Sequence, residues 1–329
     1  MDTTFKALVV DQVEGKSVPA VKELHVSDLP AGEVLVAIDY SSMNYKDAMA
    51  LSGLGKIIRS FPMVPGIDFA GTVVDSSSPA YRAGDHVVLT GWSVGERYWG
   101  GYSQMARVKA DWLVHLPPSL SSQSAMAIGT AGLTAMLCVM ALEDAGIKNG
   151  KILVSGANGG VGSVAISLLA RRGYEVTALT QRPDENRDYL MGLGAQDVIG
   201  GPEWKDKPAP LGTQRWQGAV DVVGGTVLAR MLSEIDYGGA VAACGLAGGF
   251  GLDTTVMPFI LRGVRLWGVD SVMCPLDRRN AAWERLAAEF GADAQQQMER
   301  VVGLADVVPL AAAFMAGTSR GRVVVDVNR

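Results

Sequence analysis

Hydrophobic and polar positions follow one pattern before about residue 120 and another after residue 151. In the first part, short apolar runs are separated by turns rich in Gly, Pro, Asp and Ser. This pattern is typical of an irregular β-barrel or partial barrel. The predicted strands there cover residues 5–10, 33–40, 69–75, 86–89 and 105–109.

After residue 151, strands and helices alternate. Apolar runs predict six parallel strands, at residues 152–155, 175–180, 197–199, 218–223, 240–244 and 264–269. Helices are predicted between most of them, at residues 161–172, 185–193, 227–236 and 258–262. Continuous apolar runs suit strands that are covered on both faces. The fold class is therefore α/β, with a doubly wound parallel sheet that binds ligands at the carboxyl ends of its strands.

The segments around these two parts set the domain organisation. A chain of 329 residues is expected to form two domains. Pro117 and Pro118 mark a boundary, after which Ser121 or Ser122 caps a helix at about residues 124–142. Helices are also predicted at residues 280–290 and 293–302, and a final strand at 322–327 returns to the first domain. The predicted domains are residues 1–123 with 299–329, and residues 124–298.

The stretch from residue 151 to residue 180 carries the clearest motif, KILVSGANGGVGSVAISLLARRGYEVTALT. It predicts a strand, a glycine-rich turn, an amphipathic helix and a second strand. Ala157, Gly159 and Gly162 have the spacing of a dinucleotide fingerprint, with Ala in place of the first Gly. Gly159 lets the backbone approach a pyrophosphate, and Gly162 lets the helix pack closely. The predicted phosphate-binding residues are Ala157, Asn158, Gly159, Gly160, Val161 and Gly162.

The alternative for this loop is a tight strand–helix turn without a ligand. The flanking strand, helix and second strand favour the dinucleotide site, because a glycine pattern gains its meaning from that context. The N–H groups at the start of the helix, together with the helix dipole, would receive the phosphate charge.

The end of the second strand indicates which dinucleotide is bound. An NAD site usually has Asp or Glu about 20 residues after the loop, but this chain has Thr180, Gln181 and Arg182 there. No carboxylate repels a 2′-phosphate, and Arg182 offers a planar set of donors for one. We therefore predict NADPH. The alternative is that Arg182 is a solvated residue of the turn before Pro183.

Composition excludes several classes of protein. Hydrophobic residues make up 48% and charged residues 19% of the chain, as in a folded enzyme rather than a disordered protein. The net charge of −5 argues against nucleic acid as the main partner. The first ten residues do not resemble a signal peptide, and no uninterrupted apolar run reaches the ~18 residues of a membrane span. A cytoplasmic protein without a membrane partner is expected.

Cysteine and histidine usage narrows the chemistry. Cys138, Cys244 and Cys274 are widely separated and odd in number, which predicts neither a disulfide framework nor a metal cluster. A reducing compartment suits them. The three histidines are scattered and none lies in a hydrolase motif.

Eight blocks spread over nearly the whole chain point to a family. They are SMNYKD (42–47), GLGKIIR (53–59), PMVPGIDFAG (62–71), LTGW (89–92), ALEDAG (141–146), AACGLAGGF (242–250), PFILR (258–262) and GVDSVM (268–273). Through them the chain resembles the medium-chain dehydrogenase/reductase superfamily, in its zinc-free quinone-reductase-like branch. Within that branch it is similar to the bacterial NADPH-dependent acryloyl-CoA reductases. The resemblance implies a GroES-like catalytic domain, a Rossmann NADPH-binding domain and a homodimer.

The resemblance also implies chemistry without a metal. Zinc-dependent relatives carry Cys near Asn44 and Tyr45, and Gly-His-Glu where this chain has Gly-Ile-Asp at residues 66–68. Asp68 alone cannot form a tetrahedral zinc site. Reduction of an α,β-unsaturated thioester would then proceed by hydride addition at the β carbon, with hydrogen-bond donors stabilising the developing oxyanion.

Tyr45 is the first candidate catalytic residue. The resemblance places it facing the nicotinamide, where its hydroxyl would bind the nicotinamide ribose, orient the thioester or relay a proton. The alternative is a tyrosine that packs with its hydroxyl satisfied by protein. Asn44 is the second candidate, either aligning the same oxygen or serving as a turn residue.

Further site residues are weaker candidates. Lys56 and Arg59 would bind the CoA phosphates, or are ordinary surface charges. Trp92 would wall the acyl pocket together with neighbouring aromatic residues, or belongs to the packing of the barrel. Asp68 would orient Lys46 or fix its loop. The resemblance adds three cofactor contacts, Leu246, Ser271 and Arg322.

Two other functions share most of these features. An NADPH:quinone oxidoreductase has the same fold and loop but needs no CoA-phosphate site. A non-catalytic NADPH-binding sensor would keep the loop without turnover. Asn44, Tyr45 and the complete glycine loop favour an enzyme, with acryloyl-CoA or a similar short enoyl-CoA as the substrate.

Overall fold

The computed structural model describes residues 3–329 and divides the chain into two compact units. The first, which we call the barrel unit, comprises Met1–Thr130, Ser271–Ala287 and Met298–Arg329. The second, the sheet unit, comprises Ala131–Asp270 and Ala288–Gln297. Each unit is described by itself below.

The strands, in chain order, are β1 (Thr4–Val13), β2 (Lys16–His25), β3 (Val34–Met43), β4 (Asp68–Ser76), β5 (His86–Thr90), β6 (Met105–Val108), β7 (Leu113–His115), β8 (Lys151–Val154), β9 (Glu175–Leu179), β10 (Asp197–Ile199), β11 (Trp216–Asp221), β12 (Ile235–Ala243), β13 (Arg265–Gly268), β14 (Glu299–Gly303) and β15 (Arg322–Asp326).

The helices are α1 (Tyr45–Leu51), α2 (Ser122–Asp144), α3 (Gly160–Arg171), α4 (Pro183–Gly192), α5 (Gly225–Glu234), α6 (Met257–Arg262), α7 (Leu276–Glu289), α8 (Ala292–Met298) and α9 (Val307–Met315). Short 3₁₀ turns lie at Val26–Asp28, Ala110–Trp112, Pro202–Lys205 and Leu304–Asp306.

The barrel unit is built on a sheet in the order β14-β15-β3-β4-β5-β7, with β6 also paired to β3. Strands β1 and β2 form a separate antiparallel hairpin. Alternate residues of the strands face a common core, which includes the fully buried Val36, Phe69, Leu89 and Val325. This period of two is the one expected of strands with one buried face. The GroES-like barrel that the family resemblance implied is thus present.

Six of the barrel strands, β1, β3, β4, β5, β6 and β15, lie where the sequence predicted them, with ends that differ by up to three residues. Strand β2 was missed because most of its residues are exposed and it contains Pro19. The helix predicted over residues 293–302 is wrong in its second half. Helix α8 ends at Met298, and Glu299–Gly303 pairs in parallel with β15. This pairing engages the β-branched Val301 and Val302, which favour strands.

The sheet unit contains six parallel strands in the order β10-β9-β8-β11-β12-β13. Counted from β8, this is the order 3-2-1-4-5-6 of a Rossmann sheet. Ile152, Leu153 and Val154 of the central strand β8 are fully buried, as expected of a strand that is covered on both faces. The prediction of a doubly wound parallel sheet is confirmed.

The predicted domain boundaries differ from the observed units by one residue at Met298 and by longer segments at two other places. Residues 124–130 and Ser271–Ala287 lie in the barrel unit, whereas the sequence put both with the nucleotide domain. In the second segment, the buried Arg279 donates to Thr90 O at 2.6 Å and to Ser271 O at 3.1 Å. The long-range bond to Thr90 ties the start of α7 to β5, and no local pattern shows it.

Helix α2 is interrupted at Gly129, whose φ of 53° and ψ of −160° are not helical. By length and composition this helix would suffice to cross a membrane, with a mean hydropathy of 2.0. However, the whole of its apolar window is buried inside the protein. Apolar character of this kind is expected of a core helix as much as of a membrane span.

Candidate functional site

The glycine-rich loop of the sheet unit joins β8 to α3. Gly156 turns the chain with a φ of +57°, and Gly159 is the N-cap of α3. A Cβ atom on Gly162 would lie 2.4 Å from Gly156 O and 2.7 Å from Ala157 Cα. Only glycine at this position allows the first turn of the helix to pack on the loop backbone. The glycine spacing in the sequence therefore corresponds to a close contact between the start of α3 and the backbone of the loop.

The start of α3 is suited to bind a phosphate group. Its first N–H groups, which include those of Gly160 and Val161, have no carbonyl partner within the helix. The first turn contains no acidic residue, so the positive end of the helix dipole is not neutralised there. A Cβ atom on Gly159 would meet a single atom within 4 Å, Gly156 O at 3.3 Å. The loop thus leaves space beside free donors, and its residues fit a dinucleotide pyrophosphate.

The carboxyl end of β9 lies against this loop. The Thr180 hydroxyl donates to Asn158 Oδ1 at 2.8 Å and accepts from the Arg182 N–H at 3.3 Å. Arg182 is the N-cap of α4, and its Nη1 lies 3.3 Å from Glu185 Oε2. The Arg182 side chain is 32% exposed, and Gln181 beside it is exposed. Three of the predicted cofactor residues are therefore joined by hydrogen bonds: Asn158, Thr180 and Arg182.

In the barrel unit, Asn44 caps α1 and Tyr45 is its first helical residue. Asp47, three residues after the cap, accepts the Asn44 N–H at 2.9 Å, which is one half of a capping box. The Tyr45 side chain is 42% exposed. The prediction that its hydroxyl contacts a ligand is compatible with this exposure and is not tested further by the geometry.

A set of buried polar residues lies around the start of α1. We call it the Asp68 cluster, and its members are Ser42, Asn44, Asp47, Asp68 and Arg322. Asp68 is fully buried. Its Oδ1 accepts from the Ser42 N–H at 3.0 Å and from the Ser42 hydroxyl at 2.8 Å. Its Oδ2 accepts from Asn44 Nδ2 at 3.1 Å and from the Thr130 N–H at 2.8 Å. The carboxylate is therefore saturated by protein donors.

The amide group of Asn44 is also fully used within the Asp68 cluster. Its Nδ2 donates to Asp47 Oδ2 at 3.2 Å and to Asp68 Oδ2 at 3.1 Å. Its Oδ1 accepts from Arg322 Nη1 at 3.3 Å. The prediction that Asn44 aligns the substrate oxygen is not supported, because both of its N–H donors are engaged with buried carboxylates. Asn44 instead ties the start of α1 to the cluster.

Two further predictions differ from the geometry in the same region. Arg322 is 2% exposed, and its guanidinium donates to Ala127 O at 2.9 Å and to Ser42 Oγ at 2.7 Å as well as to Asn44. Its donors thus serve the barrel unit, whereas the sequence assigned them to the cofactor. The predicted orientation of Lys46 by Asp68 is wrong, since Lys46 Nζ pairs with Glu96 Oε1 at 2.9 Å.

The remaining predicted contacts are scattered. Lys56 and Arg59 are exposed, as phosphate ligands or ordinary surface charges would be. Trp92 lies against the barrel core, with its ring 4.9 Å from the Arg279 guanidinium. Ser271 is 9% exposed in the barrel unit, and Leu246, which follows β12 in the sheet unit, is 65% exposed.

Burial and charge perturb the acids of the Asp68 cluster. Burial, and then the neighbouring Asp68 carboxylate, raise the pKa of Asp47 to about 7, against hydrogen bonds from Asn44 and the Ile67 N–H. Burial and the same two carboxylates raise the pKa of Tyr102 well above its usual value. Two buried carboxylates that face a single cation cannot both ionise without cost. Asp47 therefore takes up its proton at a much higher pH than an ordinary exposed carboxyl group does.

Sequence reasoning named Asn44, Asp68 and Arg322 as candidates for other contacts, and it did not single out Ser42 or Asp47. Asp47 could have been found, because an acid three residues after an Asn before an apolar run is a capping signal. Ser42 gave no usable signal, and neither did Tyr102 and Gly129, which adjoin the cluster, since their partners are far away in the sequence.

The described residues, 3–329, contain no group of three or more His, Cys, Asp or Glu side chains that could hold a metal ion. Asp68, which stands where zinc-dependent relatives have a ligand, is saturated by the donors given above. The residues at this place therefore do not fit a zinc ion. That the chemistry runs without metal stays a prediction.

Two family models match the chain. One, for the alcohol dehydrogenase GroES-like domain, covers residues 30–118, and the other, for zinc-binding dehydrogenases, covers residues 160–294. Acrylyl-CoA reductase AcuI of Ruegeria pomeroyi is 55% identical over 329 residues, which are 98% of this chain and 99% of that protein. The second family description mentions zinc, although the matched GroES-like part lacks the usual ligands, as shown above.

Two solved structures are similar over nearly the whole chain. The crystal structure of YhdH from Escherichia coli K-12 with bound NADPH has a TM-score of 0.96 at 53% identity, covering 98% of this chain and 100% of that one. YhfP of Bacillus subtilis is called a putative quinone oxidoreductase and is 45% identical over 329 residues, 99% of both proteins. Its structure with NAD bound has a TM-score of 0.95 at 44% identity, covering 99% of this chain and 100% of that one.

Replacing Asp47 by Asn is expected to flatten the pH dependence of the free energy of unfolding. The folded-state pKa of Asp47, about 7, lies above the ordinary 3.8. The stability contributed by its bound proton is fully present below the ordinary pKa and is lost as the pH rises through about 7. Urea denaturation at about pH 5 and about pH 8 measures the difference between wild type and variant.

The control for this experiment is Asp75→Asn, which changes an exposed carboxylate at the end of β4. It should keep the pH dependence of the wild type. An Asp47→Asn protein whose unfolding free energy falls as steeply as that of the wild type between the two pH values would contradict the assignment.

Proposed function

Because the chain belongs to the medium-chain dehydrogenase/reductase superfamily, we propose that it is an NADPH-dependent acryloyl-CoA reductase, which converts acryloyl-CoA to propionyl-CoA. The observation that carries the proposal is the 55% identity, over 98% of the chain, to a protein named acrylyl-CoA reductase. The open glycine loop and the absence of a carboxylate at residues 180–182 support the cofactor.

NADPH is held by residues of the sheet unit. The N–H groups at the start of α3 bind the pyrophosphate, with Gly159 and Gly162 leaving the necessary space. Thr180 fixes the end of β9 to the loop, and Arg182 binds the 2′-phosphate. When bound, NADPH would supply the hydride that adds to the β carbon of the enoyl thioester, and a proton from water would complete the reduction at the α carbon.

The chain's own residues bind the thioester and stabilise its charge. The Tyr45 hydroxyl donates a hydrogen bond to the thioester oxygen, where negative charge develops as the enolate forms. A phenol is a better donor than base at neutral pH, which suits this role. Lys56 and Arg59, both exposed in the loop after α1, bind phosphate groups of CoA.

Steady-state NADPH oxidation with acryloyl-CoA tests the function and the role of Tyr45 together. Wild-type protein should turn over acryloyl-CoA, and Tyr45→Phe should lower kcat by about 10²-fold, because it removes the donor to the developing oxyanion. Dialysis against EDTA should leave both rates unchanged if no metal takes part. Tyr98→Phe, another exposed tyrosine of the barrel unit, is the matched control.

A Tyr45→Phe rate within about twofold of wild type would remove the hydroxyl from the mechanism. If the wild-type protein fails to oxidise NADPH with every enoyl thioester tested, the proposed reductase activity is refuted.

A quinone oxidoreductase is the second candidate function. It is favoured by the 45% identity to the putative quinone oxidoreductase of Bacillus subtilis. A quinone accepts hydride without a CoA-phosphate site, so the same assay with benzoquinones in place of acryloyl-CoA separates the two functions. A protein that binds NADPH but oxidises it with neither class of acceptor would instead be a sensor.

Preference for NADPH over NADH is expected to depend on Arg182. Arg182→Ala should reduce kcat/KM for NADPH by about 10-fold or more and leave that for NADH nearly unchanged, because a charged hydrogen bond is worth ~1.5–3 kcal/mol. The control is Glu185→Gln, which removes the charge of the surface carboxylate beside the guanidinium. This variant should not lower kcat/KM for NADPH. Equal losses with both cofactors would show that Arg182 does not read the 2′-phosphate.

We also propose a cytoplasmic homodimer that associates along β13. This strand ends the order of the parallel sheet, so one of its edges has no strand partner within residues 3–329. Trp267 on β13 is 41% exposed, and Ile260 and Leu261 of the preceding helix α6 are 71% and 54% exposed. An open edge beside exposed apolar residues favours pairing with a second copy.

Sedimentation velocity tests the dimer. The wild-type protein should have a mass of twice 34.6 kDa, and Trp267→Glu should have the mass of the monomer. A monomeric wild type would exclude the dimer.

A further inference from the structure

The break in α2 creates two helix ends inside the barrel unit. At Gly129 the backbone leaves the helical conformation, so nearby carbonyl and N–H groups lose their partners within the helix. Met126 O and Ala127 O, before the break, accept from Arg322 Nη2 at 3.3 Å and Nε at 2.9 Å. The Thr130 N–H, after the break, donates to Asp68 Oδ2 at 2.8 Å.

Each helix end thus faces the charge that its dipole prefers. The carbonyl end of the first half faces the Arg322 cation, and the N–H end that follows faces the Asp68 carboxylate. Both charged groups are at most 2% exposed, so they need such partners to remain ionised. Ser42 bridges them, because its hydroxyl donates to Asp68 and accepts from Arg322.

Gly129 is required for this arrangement by space as well as by conformation. A Cβ atom there would lie 2.4 Å from Arg322 Nη2, 2.7 Å from Ser42 Oγ and 3.0 Å from Asp68 Oδ2. Its φ of 53° is also unfavourable for other residues. An alanine at this position would therefore displace the Asp68 cluster without removing any of its members.

We propose that Arg322 and Asp68, clamped at the break in α2, are positioning residues for Tyr45 in the proposed reductase. They hold the Asn44 amide from two sides, Arg322 at its oxygen and Asp68 at its nitrogen. Asn44 is the cap of α1, and Tyr45 follows it directly. The orientation of the tyrosine hydroxyl is thereby set by two buried charged groups, which are linked to each other through Ser42 and Asn44.

The role of Tyr45 in this inference rests on the proposed function, but the assignment of Arg322 does not. A cofactor-binding Arg322 and a positioning Arg322 differ in what they change. The first sets the dissociation constant of NADPH, and the second sets kcat. A small displacement of a catalytic group can cost ~10²-fold in rate while the cofactor site, which lies on other residues, is intact.

Gly129→Ala and Arg322→Lys are the test variants. Both should lower kcat with acryloyl-CoA by about 10-fold or more and leave the dissociation constant of NADPH within about twofold of wild type. Lysine keeps the positive charge but lacks the planar fork that reaches Ser42, Asn44 and Ala127 together. Rates are expressed per folded protein, measured by urea denaturation, so that a loss of stability alone does not lower them.

Two controls match these variants. Gly146→Ala places a Cβ at another glycine of positive φ, where nothing lies within 4 Å. Arg300→Lys changes an exposed arginine on β14, the strand that pairs with β15. Both should keep the wild-type kcat. An increase of 10-fold or more in the NADPH dissociation constant of Arg322→Lys with unchanged kcat would overturn the proposal in favour of cofactor binding.

A readout without turnover separates this inference from the proposed function. Protein labelled with 3-fluorotyrosine gives a ¹⁹F signal for Tyr45, assigned by its absence in Tyr45→Phe. That signal should shift or broaden in Gly129→Ala and Arg322→Lys and stay unchanged in the two controls. If the wild type does not reduce acryloyl-CoA, the proposed function fails, while the ¹⁹F result still decides the positioning role. An unchanged Tyr45 signal in both test variants would refute that role.

Discussion

The structure of the barrel unit depends on the burial of two carboxylates with one arginine. A buried charge is tolerated only where hydrogen bonds and an opposite charge replace its water. For Asp68 and Arg322 these partners come from β3, from the cap of α1 and from the broken α2. Asp47 adds a second carboxylate beside them, and burial, followed by the charge of Asp68, raises the pKa of Asp47. The break in α2 is thus a requirement of the charges and not an irregularity of the helix.

The same constraint separates two kinds of polar residue that look alike in the sequence. Asn44 and Tyr45 are neighbours in one motif, but the amide of Asn44 is used up by buried partners while the Tyr45 ring is 42% exposed. A side chain whose donors are all engaged cannot also bind a developing oxyanion without breaking those bonds. Of the two, Tyr45 is therefore the residue that suits the donor role proposed above, and Asn44 precedes it directly at the start of α1.

Sequence patterns predicted what is local and missed what is distant. The glycine loop, the six parallel strands and the end of β9 follow from rules that act within about 30 residues, and the fold of the sheet unit was predicted with them. Arg322 and Asn44 are 278 residues apart, and nothing in either segment indicates that they meet. Strand β14 shows the same limit. Its residues continue the helical pattern of the preceding segment, but in the structure their backbone groups form hydrogen bonds with the distant strand β15.

The expected preference for NADPH over NADH depends on the charges around Arg182. Arg182 faces Glu185, and the first turn of α4 also contains Asp184. The guanidinium therefore already has carboxylates near it before any ligand binds. An exposed arginine–carboxylate pair contributes only ~0–1 kcal/mol, and Glu185 is 67% exposed in that pair. A 2′-phosphate carries more charge than one carboxylate and can accept two parallel hydrogen bonds from the guanidinium. In the NADPH complex proposed above, the phosphate would therefore be a stronger partner for Arg182 than Glu185 is.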